Sequence, residues 1–171
     1  MGILICGLNG VGKSTLGRRL AERLSYPFID NEDLYFPKTD RRYAYSAPRG
    51  KEEVIRLLEE RIEKSGDFVF AAVKGDYGDK LISLLDRIVL VEVPREIRLA
   101  RVRERSFEKF GERICAGGDL AEQENAWFAQ VEGRPEDHVL KWLETVDRPV
   151  IRVDGTRPVE ENVEYLVSVL A

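Results

Sequence analysis

The chain has 171 residues, 27 basic and 31 acidic, for a formal charge of -4 at pH 7. That is the length of one ordinary domain, and the acidic balance offers no global attraction to nucleic acid or to an anionic membrane. Its two cysteines, Cys6 and Cys115, and its single His138 have neither zinc-site spacing nor disulfide-scaffold density, and no apolar run approaches the roughly 20 residues of a membrane-spanning helix. Reduced thiols and a cytoplasmic location are the expectation.

In chain order, short apolar strands alternate with helical patterns, which predicts a three-layer α/β domain with a mainly parallel sheet. A strand at 3–6 runs into GLNGVGKST, Gly7 to Thr15, and then a helix at about 13–24, where Leu16, Leu20 and Leu24 recur every fourth residue. Residues 27–29 read as a second strand, ending at Asp30-Asn31-Glu32-Asp33. From about 34 to 50 the periodicity fails among aromatic, basic and turn-forming residues, so a long functional loop is expected. Helical spacing returns with Val54, Leu57, Leu58 and Ile62, before a strand at 68–73. Another buried strand covers 88–93, followed by an Arg-rich helix from 94 to about 105. Residues 106–120 carry Gly111, Gly117 and Gly118 and again lose periodicity. Helical segments flank Arg134-Pro135, a last strand covers 149–153, and a helix at 158–170 closes the chain. With no linker and no repeat, residues 1–171 read as a single domain.

Gly7, Gly12, Lys13 and Ser14 fit the pattern G-x-x-x-x-G-K-[ST] between a strand and a helix. Glycines let the backbone turn so that the N–H groups from Asn9, Gly10, Val11 and Gly12 through Lys13, Ser14 and Thr15 converge on a phosphate. Lys13 then reaches the β- and γ-phosphates, and the Ser14 hydroxyl ligates Mg²⁺. In the basic helix, the spacing puts Arg98, Arg101 and Arg105 on one face, with Leu99 and Val102 facing another way. A solvated face accounts for Arg95, Arg98 and Arg103.

GLNGVGKST, the acids after the second strand, IVLVEVPREIRLARVRER and the terminal PVIRVDGTRPVEENVEYL together resemble the small P-loop kinases of the shikimate kinase, gluconate kinase and nucleoside monophosphate kinase group. The resemblance covers nearly the full length. It implies a P-loop NTPase fold with five parallel strands in the order 2-3-1-4-5, a substrate loop at about 34–50, and a lid at about 106–120. Asp30-Asn31-Glu32 takes the place of the D-x-D of shikimate and gluconate kinases, with Glu for the second Asp, whereas Asp33 falls where nucleoside monophosphate kinases carry the Asp of G-D-x-x-R. Asp30 would then organise Mg²⁺ through water, with Glu32 or Asp33 the base; helix N-capping by these acids is the plainer alternative. Arg101 and Arg105 match lid-base arginines near the nucleotide, and Arg113 would close over the γ-phosphate. The loop at 154–158, with Thr156, would border the base or simply cap the last helix.

The departures concern the acceptor. Phe36 stands where G-D-x-x-R needs its Arg, and Val73-Lys74-Gly75-Asp76 matches neither D-G-F-P-R nor G-G-G. Adenylate kinase proper and shikimate kinase are both disfavoured. Tyr35, Lys38, Arg41, Arg42, Tyr43, Tyr45 and Arg49 are expected to offer aromatic faces and cations to a small acceptor, and Lys74 and Asp76 to touch substrate or Mg²⁺. The expected activity is Mg²⁺-dependent transfer of the γ-phosphate of ATP to a small hydroxyl or phosphate acceptor, by a monomer or homodimer without nucleic-acid or membrane partners. The alternative is an NTP-binding or NTP-hydrolysing regulatory module.

Overall fold

The structure is a computed structural model and describes residues 1–170. Five parallel strands form one sheet in the expected order β2-β3-β1-β4-β5. β1 (Gly2–Cys6) is central, flanked by β3 (Phe68–Ala71) and β4 (Arg87–Glu92), with β2 (Phe28–Asp30) and β5 (Val150–Asp154) at the edges. Ile3, Leu4 and Ile5 pair with Val69, Phe70 and Ala71 on one side and with Arg87, Ile88 and Val89 on the other. These strands read as unbroken apolar runs because both faces of the sheet are covered.

On one face α1 (Lys13–Leu24) packs beside α8 (Val159–Leu170), burying Leu16 and Leu20 with Val163, Leu166 and Leu170. Right-handed crossovers place the helices that follow β2, β3 and β4 on the opposite face, because the chain steps away from β1 to reach β2 and returns the other way thereafter. There α3 (Lys51–Ser65) buries Val54, Leu58 and Ile62, α4 (Asp79–Leu84) buries Leu81, and α7 (His138–Leu143) buries Val139. Among the described residues no helix is long and apolar enough to cross a membrane.

Three elements differ from the sequence reading. Strand β3 ends at Ala71, before Val73. A short helix α2 (Asn31–Tyr35) follows β2 directly, so Glu32 and Asp33 occupy a first helical turn. Finally, α5 spans Arg95–Phe110 and runs on into a 3₁₀ turn, Gly111–Ile114, so residues 106–110, expected in an irregular lid, are helical. The buried stripe of α5 is Arg98, Val102 and Ser106. Only one of the three is apolar, so the helical period is invisible to hydropathy. The same stripe overturns the expected faces: Arg98 points inward with Val102 and is 1% exposed, not solvated. A small cluster of Val102, Phe128 and Val131 then fastens α6 (Ala121–Gly133) against α5.

Candidate active site

The phosphate loop leaves β1 at Gly7, whose N–H donates to the Val73 carbonyl at 3.1 Å. Gly10 and Gly12 adopt φ of +87° and +94°, in the left-handed region that side chains disfavour. Gly12 is the N-cap of α1, with no side-chain cap, and the first helical bond runs from Leu16 N–H to the Gly12 carbonyl at 3.0 Å. The N–H groups of Lys13, Ser14 and Thr15 therefore have no intrahelical acceptor. A Cβ at Gly12 would meet nothing within 4 Å, so open space lies before these donors. A cradle of free N–H groups with that opening fits a phosphate.

The Lys13 ammonium donates to the Leu8 carbonyl at 3.1 Å. Burial lowers its pKa to about 8; Arg105 and Arg134 push the same way, while the Asp30 carboxylate opposes them. Cys6 is held as a neutral thiol, because burial lifts it to about 12.

Asp30 Oδ1 accepts the Glu32 N–H at 3.0 Å and so caps α2, the plainer of its two expected roles. Glu32 and Asp33, indistinguishable by position in the sequence, differ in setting. The Asp33 side chain is 48% exposed and pairs with Lys38 at 2.7 Å. Glu32 is 29% exposed and faces three cations, Lys38 at 3.2 Å, Arg105 at 3.6 Å and Lys109 at 3.9 Å. Burial alone would raise its pKa; Lys109, Arg105 and Lys38 outweigh that and hold it below the usual carboxylate range.

Above Glu32, Phe36, Tyr43, Tyr45 and Phe110 form an aromatic cluster with centroids 5.0 to 6.2 Å apart, joining the 34–50 loop to the end of α5. Lys109 lies 5.1 Å from the Tyr45 ring centre and bonds its hydroxyl. Burial and then Glu32 lift the Tyr45 hydroxyl to about 12. The Tyr43 hydroxyl donates to Glu124 Oε1 at 2.7 Å, and Glu124, in α6, is 1% exposed.

The arginines divide. Arg105 approaches Glu32, whereas Arg101 Nη1 donates to the Gly155 carbonyl at 3.1 Å, tying α5 to the loop after β5. In that loop the Thr156 N–H and hydroxyl both donate to Asp154 Oδ1, at 2.8 and 2.6 Å. Arg113 grips Asp119 at 2.9 and 2.8 Å and donates to the Arg42 carbonyl at 2.8 Å, so it faces the 34–50 loop. Lys74 and Lys51 share Asp76 at 3.4 and 3.2 Å. Tyr35 packs against the core, and Arg49 spans the Leu34 carbonyl at 2.9 Å and Glu53 at 3.5 Å, so both support the loop ends.

Two positions at the candidate site escaped the sequence reading. Arg134, just after α6, bonds the Asn9 carboxamide of the phosphate loop, and its charge reaches Lys13. Its only trace in the sequence is an arginine between a helix end and Pro135. Lys109 extends the Arg105 face by one turn, a signal lost when the helix is ended at 105. Among the described residues no three His, Cys, Asp or Glu side chains gather into a metal cage. The Ser14 hydroxyl, the second oxygen of Asp30 and the phosphates of a bound nucleotide are a donor set that suits Mg²⁺, which is bound mostly by water and phosphate.

The AAA domain family matches residues 3–126. The chain is 29% identical over 177 residues to the uncharacterized protein YqaC of Bacillus subtilis (strain 168), covering 99% of this chain and 97% of that one. It is 29% identical over 119 residues to the shikimate kinase of Rhodococcus jostii (strain RHA1), covering 68% and 71%. Its fold matches the crystal structure of a gluconokinase from Sinorhizobium meliloti 1021 with a TM-score of 0.53 at 20% identity, over 98% of this chain and 89% of that one.

Proposed function

The chain belongs to the AAA domain family, and from that premise we propose that it is an ATP-dependent kinase of a small hydroxyl- or phosphate-bearing acceptor. The observation that carries this reading is a convergence: Lys13 and Asn9 of the phosphate loop, Glu32 in the first turn of α2, and Arg105 and Arg134 from the α5–α6 region share one site. Arg105 links the two sides, since its charge acts on Lys13 and its guanidinium approaches the Glu32 carboxylate at 3.6 Å. The kinase names of a relative and of a structural neighbour support it.

Phosphoryl transfer needs positioning and charge neutralisation more than covalent help. The N–H groups from Asn9 to Thr15 and the Lys13 ammonium hold the β- and γ-phosphates. Arg105 and Arg134 stabilise charge on the transferring group, and planar guanidinium suits its oxygens. Glu32, less exposed than Asp33 and turned toward Arg105, takes the acceptor proton in preference to Asp33. Mg²⁺, held by Ser14 and through water by Asp30, would neutralise charge between the β- and γ-phosphates. Arg101 and the Thr156 loop border the base. The 34–50 loop with Tyr35 and Arg49, together with Lys74 and Asp76, borders the acceptor. Arg113 and the segment to residue 120 act as the lid that excludes water. The unit works as one domain over residues 1–171, in the cytoplasm, as a monomer or homodimer.

ADP release measured with and without pooled sugars, acidic metabolites and nucleoside monophosphates tests the reading, with Lys13→Ala as the null enzyme. Acceptor-stimulated release is expected. A basal rate that Lys13→Ala abolishes but no acceptor changes would instead assign a nucleotide-hydrolysing module.

A further inference from the structure

Behind Leu8 and Val11 of the phosphate loop lies a cavity of about 120 Å³, walled also by the end of β4, by Arg98 of α5, and by Glu136 and Val139 where the chain enters α7. Arg98 is 1% exposed, and its Nη2 donates to Glu136. Its Nε and Nη1, three N–H groups between them, have no partner among the described residues. A buried charge persists when it is paired and hydrogen-bonded, and here the pairing is incomplete. Glu136 is shared, because Arg95 donates to the same carboxylate oxygen at 2.7 Å. Arg134 adds a third guanidinium close by: burial lowers its proton affinity, and so does the charge of Arg98. Glu92, the other acid on the wall, is engaged by Arg152 at 3.1 Å. Two guanidinium groups thus share one carboxylate oxygen, with the Arg134 charge close by and turned to Asn9, while the side chains of Leu8, Val11 and Val139 supply no acceptor.

We infer that this cavity is a binding site for a small oxyanion of the phosphate or sulfate class, held by Arg98 and distinct from the nucleotide cradle between Gly12 and Thr15. The space suits such an ion with a few waters and is too small for a nucleotide. An ion there ties α5 and the entry to α7 to the back of the phosphate loop, where the Arg98 carbonyl already abuts Gly10. The assignment does not depend on the kinase reading, since neither an acceptor nor turnover enters it.

Sulfate titrated into the full chain carrying Lys13→Ala, which removes the ammonium from the nucleotide cradle, tests it by calorimetry and by thermal shift at constant ionic strength set with chloride, the Arg98 variants separating this cavity from the cradle's backbone N–H groups. One saturable site that raises Tm is expected, and inorganic phosphate should compete for it. Adding Arg98→Met should weaken sulfate binding at least tenfold; Arg98→Lys, which keeps the charge but loses the guanidinium geometry, should weaken it less and serves if the Met variant does not fold. Absence of saturable sulfate binding in Lys13→Ala, or undiminished binding after Arg98→Met or Arg98→Lys, would overturn the inference and leave a water-filled cavity.

Discussion

Arg134 donates a hydrogen bond from its guanidinium to the side-chain oxygen of Asn9, a partner 125 residues away in the phosphate loop. The contact brings the end of α6 onto the phosphate loop, where the Arg134 charge, like that of Arg105, acts on Lys13; under the proposed kinase reading it meets charge developing in transfer. Arg134→Ala is expected to lower kcat/KM for ATP by about 10² to 10³, as for loss of one preorganised donor. Arg134→Lys should recover only part, because an ammonium lacks the planar fork. Unchanged steady-state kinetics in both variants would remove Arg134 from the site.

Burial draws Lys13 down to about 8 in the empty site. Its charged fraction therefore falls as pH rises through that value, and kcat/KM for ATP, which reports the free enzyme, should fall above about pH 8. A bound triphosphate favours the ammonium, so kcat should hold to higher pH. For folding the sign is reversed: the unfolded chain holds this proton more tightly, so Lys13 opposes folding below about 8, and that penalty fades as pH rises toward 10.5. A kcat/KM profile flat between about pH 7 and 10 contradicts the assignment.

Glu32 and Asp33 are neighbours in different settings, Glu32 the less exposed of the two. Glu32→Gln should cost about 10²- to 10⁴-fold in kcat with little change in KM for ATP, the scale of general-base loss. Asp33→Asn removes an exposed partner of Lys38 and should change kcat less than tenfold, on the scale of a surface ion pair. Pre-steady-state ADP formation with a working acceptor measures both; equal losses would mean that the acids share the role.

Gly10 and Gly12 separate steric from conformational constraint. A Cβ at Gly10 would stand 2.1 Å from the Arg98 carbonyl oxygen, whereas at Gly12 it would meet nothing within 4 Å. Gly12→Ala should cost about 1–2 kcal/mol in urea denaturation, the strain of a left-handed backbone alone. Gly10→Ala should cost more and displace the loop, so nucleotide affinity falls with stability. Equal stabilities would refute this packing of α5 on the loop.

Among the described residues Tyr43 supplies the one hydrogen bond to the buried Glu124 carboxylate, whose other oxygen has no partner there. Tyr43→Phe leaves both oxygens unpaired and should destabilise by about 1–3 kcal/mol. The double variant Tyr43→Phe/Glu124→Leu should recover most of that, since neither polar group is then buried alone. Chemical denaturation of the three chains completes the cycle; a double variant no more stable than Tyr43→Phe would show that packing, not polarity, sets the cost.

GLNGVGKST, the strand–helix alternation and the cation-rich 34–50 loop were legible in the sequence because each is local. A phosphate cradle needs its glycines and lysine within a few residues, and a strand buried on both faces shows as a continuous apolar run. The inward turn of Arg98, the reach of Arg134 to Asn9 and the choice of Glu32 over Asp33 as the shielded acid were decided only by tertiary structure. Each depends on which distant charges packing brings within a few ångströms, and on how far burial amplifies them. A buried arginine and a solvated one are written with the same letter, and only the surrounding helices decide which it is.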